Sequence, residues 1–276
     1  MDCRGSAEVL RHAVLARALA VCVAAGCSSQ PGAGVAPGSS VATVDAPSGS
    51  HPASVVVDFY GARGRSAACS GTLISPNVVL TSAHCASGSR GARVVAPDAS
   101  GASSTVARSF PYGWSATKDP AGQYDLELLT LTKPITLASY PAIQEQPCEG
   151  CKVVSVYRSR SGGKVAADVN VTPEMGLAPA SSEHPTTLFT PIGTGDSGGA
   201  VIRTGPLGGL VVGVTVGDGE ATGGGYVARL DNPDVQRWIH DIVHAASRGP
   251  TALRDARYTA RPIEGGGPPQ GGSATD

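Results

Sequence analysis

The chain has 276 residues, including 37 glycines and 21 prolines, and its formal net charge at pH 7 is −1. Abundant turn residues and few charged helix formers predict short strands joined by turns rather than a helical bundle. The near-neutral charge excludes the basic surface that nucleic-acid binding requires, so we expect no nucleic-acid partner.

The N-terminal segment, 1–27, has the pattern of an export signal. Three arginines precede an uncharged stretch, 18–26, that is too short to span a bilayer. The segment ends in Ala24-Ala25-Gly26-Cys27, which resembles a bacterial lipobox and predicts that Cys27 carries a lipid. An ordinary signal peptidase site at Val23-Ala24-Ala25 is the alternative. The sequence therefore predicts an exported protein that is either a membrane-anchored lipoprotein or secreted.

The segment 28–50 is rich in Ser, Pro, Gly and Ala and shows no apolar periodicity, so we expect a flexible linker. Short apolar runs at regular spacing follow and predict an all-β fold of the barrel or sandwich type. The predicted strands are 53–60, 70–74, 78–82, 93–96, 125–131, 152–157, 165–171, 200–203, 210–216 and 226–230.

One helix is predicted near the C-terminus. Apolar residues recur at helical spacing from Val235 to Ala246, after a start at Asp231-Asn232-Pro233. The segment 247–276 then turns to Arg, Gly, Pro and Thr, a composition that predicts a disordered tail. The folded domain is therefore predicted to occupy 51–246.

Seven cysteines are present, and three of them are assigned to the signal segment and the lipid. The four remaining cysteines are an even number, which in an oxidising compartment favours disulfides over free thiols. These are Cys69, Cys85, Cys148 and Cys151. The C-x-x-C pair at 148–151 is also compatible with a redox pair or half of a metal site. We favour a small-loop disulfide, because no thioredoxin-like pattern and no second pair of ligands accompanies it.

The segment Gly195-Asp196-Ser197-Gly198-Gly199 is the most informative for chemistry. A serine flanked by glycines can lie on a tight turn with backbone N–H groups beside its hydroxyl. The amides of Gly195 and Ser197 are the candidate oxyanion hole, and one such donor stabilises a developing alkoxide by roughly 3 to 4 kcal/mol. An ordinary glycine turn is the alternative interpretation.

His84 follows an apolar strand directly and is the candidate general base for Ser197. A Cys69–Cys85 bridge would hold its loop and contribute about 3 kcal/mol in the chain-entropy model. A surface histidine beside a structural disulfide is the alternative. Asp125 begins an apolar strand and is the candidate acid that orients the imidazole. Asp119 is its rival, but its Lys-Asp-Pro turn favours a solvated position.

The segments TSAHC around His84, DLELL from Asp125 and GDSGG around Ser197 occur in the order that trypsin-like serine peptidases use. Over 51–246 the chain resembles a bacterial, exported member of that family. The resemblance implies two six-stranded antiparallel β-barrels with the site between them. It also implies a serine endopeptidase that acts on proteins or peptides through an acyl-enzyme and requires no cofactor or metal.

Two further features follow from the resemblance. Asp196 matches the aspartate that pairs with a new N-terminus after activation. No Ile-Val-Gly-Gly-like start is present, so an activating protease is expected to cut within 39–50, with Val41-Ala42-Thr43 as a weak candidate terminus. In addition, Gly193 replaces the cysteine that commonly braces the specificity pocket.

The candidate substrate-binding residues are Thr215, Val216 and Gly217, which match the edge strand that pairs with substrate, together with Pro191 and Gly224. Pro191 stands where Arg- or Lys-selective relatives have an aspartate, and Val214 stands where acid-selective relatives have a histidine. The resemblance thus implies an uncharged pocket that prefers Ala, Val, Leu or Phe, unless Asp218 or Glu220 reaches in from the rim.

Two other functions are compatible with parts of the sequence. The first is a catalytically silent surface binding protein that keeps the fold without turnover. The second is an esterase, although its usual GxSxG elbow lies between a strand and a helix, unlike GDSGG between two strands.

Overall fold

The structure is a computed structural model, and it describes residues 51–118, 122–158, 160–161, 164–165, 169–178, 186–189, 195–205, 209–217, 225–254 and 258–262. The predicted signal segment and linker lie outside these residues. Within them, no helix combines the length and apolar character needed to cross a membrane.

Six antiparallel strands form a closed barrel in the first half of the domain. Their order is β5-β4-β1-β2-β3-β6, and pairing of β5 with β6 closes the ring. The interior is filled by branched apolar side chains such as Val57, Leu73 and Leu129, each fully buried. The strands are β1 (Ser54–Gly61), β2 (Gly64–Ser75), β3 (Val78–Ser82), β4 (Gly91–Ala96), β5 (Ala102–Tyr112) and β6 (Leu126–Leu131).

The second half of the domain contains another antiparallel sheet. A separate two-stranded ribbon lies, in chain order, between the first strand of this sheet and the others. The ribbon is β8 (Arg160–Ser161) with β9 (Lys164–Val165). The strands of the sheet are β7 (Lys152–Tyr157), β10 (Asn170–Val171), β11 (Met175–Gly176), β12 (Thr186–Phe189), β13 (Ala200–Arg203), β14 (Val211–Gly217) and β15 (Gly225–Arg229). Within the described residues their order is β10-β7-β13-β14-β15-β12, and β11 also pairs with β7.

Helix α1 (Pro233–Ser247) packs against both sheets. Asn232 caps it, because its side-chain oxygen accepts a hydrogen bond of 2.8 Å from the Asp234 N–H. Trp238 is fully buried in a cluster that contains side chains of β3, β5, β6, β14 and β15. The predicted all-β, trypsin-like fold with a C-terminal helix is confirmed.

The structure differs from the sequence predictions at several elements. Strand β5 was not predicted. Where the structure describes the single strand predicted over 165–171, it has the end of β9 and the short β10. Part of the predicted disordered tail is ordered, as α2 (Pro250–Arg254) and β16 (Arg261–Pro262). The physical reason is that Leu253 is buried beside α1 and β16 pairs with the edge of β5. The remainder of the tail lies outside the described residues.

Candidate active site

The turn that carries Ser197 requires glycine on both sides. Gly195 has φ +97° and Gly198 has φ +88°, values that favour glycine. A Cβ at Gly198 would also lie 2.1 Å from the backbone oxygen of Ser70 and 2.1 Å from Thr81 Oγ1. The GDSGG sequence therefore allows this turn to approach the first barrel closely, and Ser197 lies in a tightly enclosed position.

Backbone hydrogen bonds connect this turn to both sheets. The Ser70 N–H on β2 donates to Ser197 O at 2.8 Å, and the Gly198 N–H donates to Thr215 O on β14 at 2.8 Å. Ser82, at the end of β3, also donates its hydroxyl to Thr215 O at 2.9 Å. The turn and the end of the strand that precedes His84 thus share one hydrogen-bonded framework.

His84 and Asp125 form a close pair. His84 lies on a 3₁₀ turn (Ala83–Ala86) directly after β3, and its Nδ1 is 2.6 Å from Asp125 Oδ2. The His84 backbone N–H donates to Asp125 Oδ1 at 2.7 Å, so His84 engages both carboxylate oxygens. Asp125 is only 1% exposed. A carboxylate held in this way keeps the proton on Nδ1 and leaves Nε2 to act as a base.

Asp125 adopts an unusual backbone conformation, with φ +44°. Aspartate tolerates this left-handed region better than most residues, and its carbonyl accepts a hydrogen bond of 3.3 Å from the Ala83 N–H. The preceding residue, Tyr124, is held by a hydrogen bond of 2.8 Å from Asn232 Nδ2 and by edge-on packing against Tyr112. These contacts fix the acid from two directions. The rival acid, Asp119, lies outside the described residues.

Within the residues that the structure describes, Ser197 and His84 are not hydrogen-bonded to each other. The Ser197 hydroxyl accepts a hydrogen bond of 3.1 Å from the Gly217 N–H, and His84 Nε2 lies 3.6 Å from Cys85 Sγ. Hydrogen bonds between catalytic groups are often long in empty sites and tighten when substrate binds.

Both predicted disulfides, Cys69–Cys85 and Cys148–Cys151, are confirmed. The first crosslinks β2 to the His84 turn, 16 residues apart in sequence. Potential ligand atoms of Cys69, His84 and Cys85 lie within 4.8 Å of one another. Because the two sulfurs are joined to each other, neither is the thiolate that a metal ion would require.

The residues predicted to bind substrate are only partly described. Thr215, Val216 and Gly217 lie on β14, the first two buried and Gly217 beside the Ser197 hydroxyl. Pro191 and Gly224 lie outside the described residues, as do Ile192, Gly193, Asp218 and Glu220. Ser155 on β7 was missed from the sequence: its Oγ is hydrogen-bonded to Thr215 Oγ1 on β14.

Asp196 is 6% exposed and lies close to Tyr157. Burial raises the pKa of the Tyr157 phenol, and the nearby Asp196 carboxylate raises it further. The segment 39–50, which was predicted to supply a new N-terminus for this aspartate, lies outside the described residues.

The fold thus consists of a closed β-barrel, a second sheet and a C-terminal helix. It holds a buried serine, a buried aspartate and a partly exposed histidine that contacts the aspartate. The trypsin family profile matches residues 40–239, and the chain belongs to this family.

Individual relatives agree with this assignment. Human chymotrypsin-like elastase family member 1 is 29% identical over 134 residues, which cover 42% of this chain and 51% of the relative. The macaque (Macaca fascicularis) protein of the same name is 31% identical over 115 residues, or 36% of this chain and 42% of its own. The chain thus spans about half the length of the curated relatives it matches.

A solved structure gives the same fold. The scabies mite inactivated protease paralogue S-I1 has a TM-score of 0.53 and 17% identity, covering 70% of this chain and 94% of its own. At this level of identity the likeness concerns the fold alone.

Proposed function

We propose that the protein is a serine endopeptidase in which Ser197 is the nucleophile, His84 the general base and Asp125 the residue that orients His84. The observation that carries this proposal is the engagement of both Asp125 carboxylate oxygens by His84, at 2.6 and 2.7 Å, in a buried position. A purely structural surface histidine would have no need of a buried carboxylate with this geometry. Membership of the trypsin family supports the same function.

The proposed reaction uses the side chains of the triad, two backbone amides and one water molecule. Ser197 Oγ attacks the carbonyl carbon of a peptide bond, and its proton moves to His84 Nε2. The amides of Gly195 and Ser197 donate to the oxyanion that forms. His84 then returns the proton to the leaving nitrogen, the C–N bond breaks, and a Ser197 ester remains. His84 next takes a proton from water, and the oxygen of this water attacks the ester carbonyl carbon. The bond to Ser197 Oγ breaks, His84 returns the proton to Ser197 Oγ, and the acid product leaves the free enzyme.

Labelling with a fluorophosphonate tests this proposal directly, because the reagent reacts much faster with a serine activated by a base and an oxyanion hole than with an ordinary hydroxyl group. We expect the label on the peptide that contains Ser197, and no label on the Ser197→Ala variant. A folded, mature wild-type protein that stays unlabelled would contradict the proposal and would favour the alternative, a catalytically silent binding protein.

We propose that the specificity pocket accepts uncharged apolar side chains. Pro191 and Val214 provide neither the acidic nor the histidine group that charged-residue selectivity uses in the relatives that the sequence resembles. Gly217 supports an open entrance, since a Cβ there would lie 2.7 Å from Ser197 Oγ and would crowd the nucleophile. An unpaired Arg or Lys would lose several kcal/mol by desolvation.

A peptide library that varies the residue before the scissile bond measures this preference. We expect cleavage after Ala, Val, Leu or Phe. Matched peptides that carry Arg or Lys at the same position serve as the comparison. A profile dominated by those two residues would overturn the prediction and would implicate Asp218 or Glu220.

We also propose that the protein is exported and matures at its N-terminus. The pattern of 1–27 supports export, with a lipid on Cys27. The match of Asp196 to the aspartate that pairs with a new N-terminus in the trypsin-like family supports activation by a second protease that cuts within 39–50. Mass spectrometry of the mature protein distinguishes these products. The expected forms are a lipid adduct on Cys27 and an active form that begins within 39–50. An active enzyme that retains an intact, unmodified 1–50 segment would refute both steps.

A further inference from the structure

Ser70, on β2, lies where the first barrel meets the turn that carries Ser197, and it is fully buried. Its backbone N–H donates to Ser197 O at 2.8 Å. Its hydroxyl oxygen lies 3.0 Å from Gly195 O, 3.1 Å from Arg158 O and 3.0 Å from the Arg158 N–H. One residue thus contacts both ends of the Gly195–Ser197 turn and also the end of β7.

The number of protons and lone pairs on the Ser70 hydroxyl determines which of these contacts it donates and which it accepts. A serine hydroxyl has one proton and two lone pairs. The Arg158 N–H is a donor, so Ser70 Oγ accepts from it. The single Ser70 proton then serves Gly195 O and Arg158 O, which are both acceptors. Removal of the hydroxyl would leave the Arg158 N–H and the Gly195 carbonyl without this buried partner.

The Gly195 carbonyl lies next to the amides of the candidate oxyanion hole. It belongs to the peptide between Gly195 and Asp196, and this peptide lies between the two amides of the candidate oxyanion hole, those of Gly195 and Ser197. A peptide plane that is fixed by Ser70 therefore limits the rotation of both amides. Thr81 supports Ser70 in turn, since its hydroxyl donates to Ser70 O at 2.7 Å.

We propose that Ser70 is a positioning residue for the oxyanion hole. Its hydroxyl holds the Gly195 carbonyl and does not touch the substrate. The inference rests on the proposed function of Ser197. An oxyanion hole works only when its donors are already aligned with the charge that develops in the transition state. Ser70 is therefore expected to affect kcat rather than substrate binding.

The main test is Ser70→Ala in the mature enzyme. We expect kcat to fall about tenfold or more while KM changes less than about twofold. This loss is smaller than the roughly 10²- to 10³-fold effect of deleting an oxyanion donor, because both amides remain. Affinity for a peptide boronic acid, whose tetrahedral adduct places an oxygen in the oxyanion hole, should fall in parallel with kcat/KM.

Ser66→Ala is the matched control. Ser66 is also on β2, but its hydroxyl donates to Phe59 O at 3.2 Å within the β1–β2 hairpin. Unchanged kcat and boronic acid affinity are expected for this variant. The Ser70→Thr and Ser70→Val variants have the same shape and differ in the hydroxyl, so their comparison remains informative if Ser70→Ala does not fold. We expect kcat of Ser70→Thr to exceed that of Ser70→Val about tenfold.

The possible outcomes separate this inference from the proposed function. A mature wild-type enzyme that does not react with a fluorophosphonate would overturn both. A reactive wild type together with unchanged kcat in folded Ser70→Ala, or equal kcat in Ser70→Thr and Ser70→Val, would overturn the positioning role alone. A lower melting temperature with unchanged kcat would likewise assign Ser70 a structural role only.

Discussion

Replacement of Ser197 or His84 by alanine is expected to lower kcat for amide hydrolysis about 10⁶-fold, because the members of a catalytic triad act as a unit. Without Ser197 no acyl-enzyme forms, and without His84 no group accepts the hydroxyl proton. Asp125→Asn should cost less, about 10⁴-fold, because it permits the wrong histidine tautomer but preserves the shape of the site. Steady-state kinetics on a peptide amide measure all three.

The activity of a double variant tests the triad more sharply than the activity lost in each single variant, because losses within a triad do not add. The double variant with Ser197→Ala and His84→Ala should be no less active than either single variant. His244→Ala is the matched control, because His244 is exposed on α1, and its activity should equal that of the wild type. Full activity in either single variant would contradict the triad assignment.

The elements with strong hydrophobic periodicity were predictable from the sequence. Strand β3 is fully buried, and α1 places apolar residues on one face, so both give clear patterns. Strand β5 was not predicted because Ser104 and Ser109 occupy buried positions in it. Each finds a polar partner there, Ser109 with Glu127 and Ser104 with Thr132. A buried serine that is satisfied by a distant residue removes the apolar alternation on which the prediction relies.

The candidate site also has a part that the sequence predicts and a part that it does not. The three residues of the triad could be proposed from the sequence because each lies in a short, distinctive segment. The polar framework around them could not, since its hydrogen bonds join residues far apart in the chain. Ser82 and Thr215 are 133 positions apart, and Ser70 and Arg158 are 88 apart. Isolated serines and threonines are common on surfaces, so their residue type alone does not indicate burial.

Gly198→Ala is expected to disrupt both stability and activity. The new Cβ would lie 2.1 Å from Ser70 O, and no change of rotamer can move a backbone oxygen away. The turn must therefore shift, and overpacking of this kind costs typically 1 to 3 kcal/mol or more. The positive φ of +88° adds roughly 1 to 2 kcal/mol. A displacement of about 1 Å at the nucleophile can lower the rate about 10²-fold.

Gly249→Ala separates the steric clash from the backbone strain. Gly249 has φ +97°, and a Cβ there would meet nothing within 4 Å. We expect this variant to lose only the roughly 1 to 2 kcal/mol of backbone strain and to keep full kcat. Urea unfolding gives the two stabilities, and the rate of fluorophosphonate labelling gives the reactivity of Ser197. Equal losses of stability in the two variants, with normal labelling of Gly198→Ala, would show that the turn tolerates a side chain and that its contact with Ser70 does not hold the nucleophile in place.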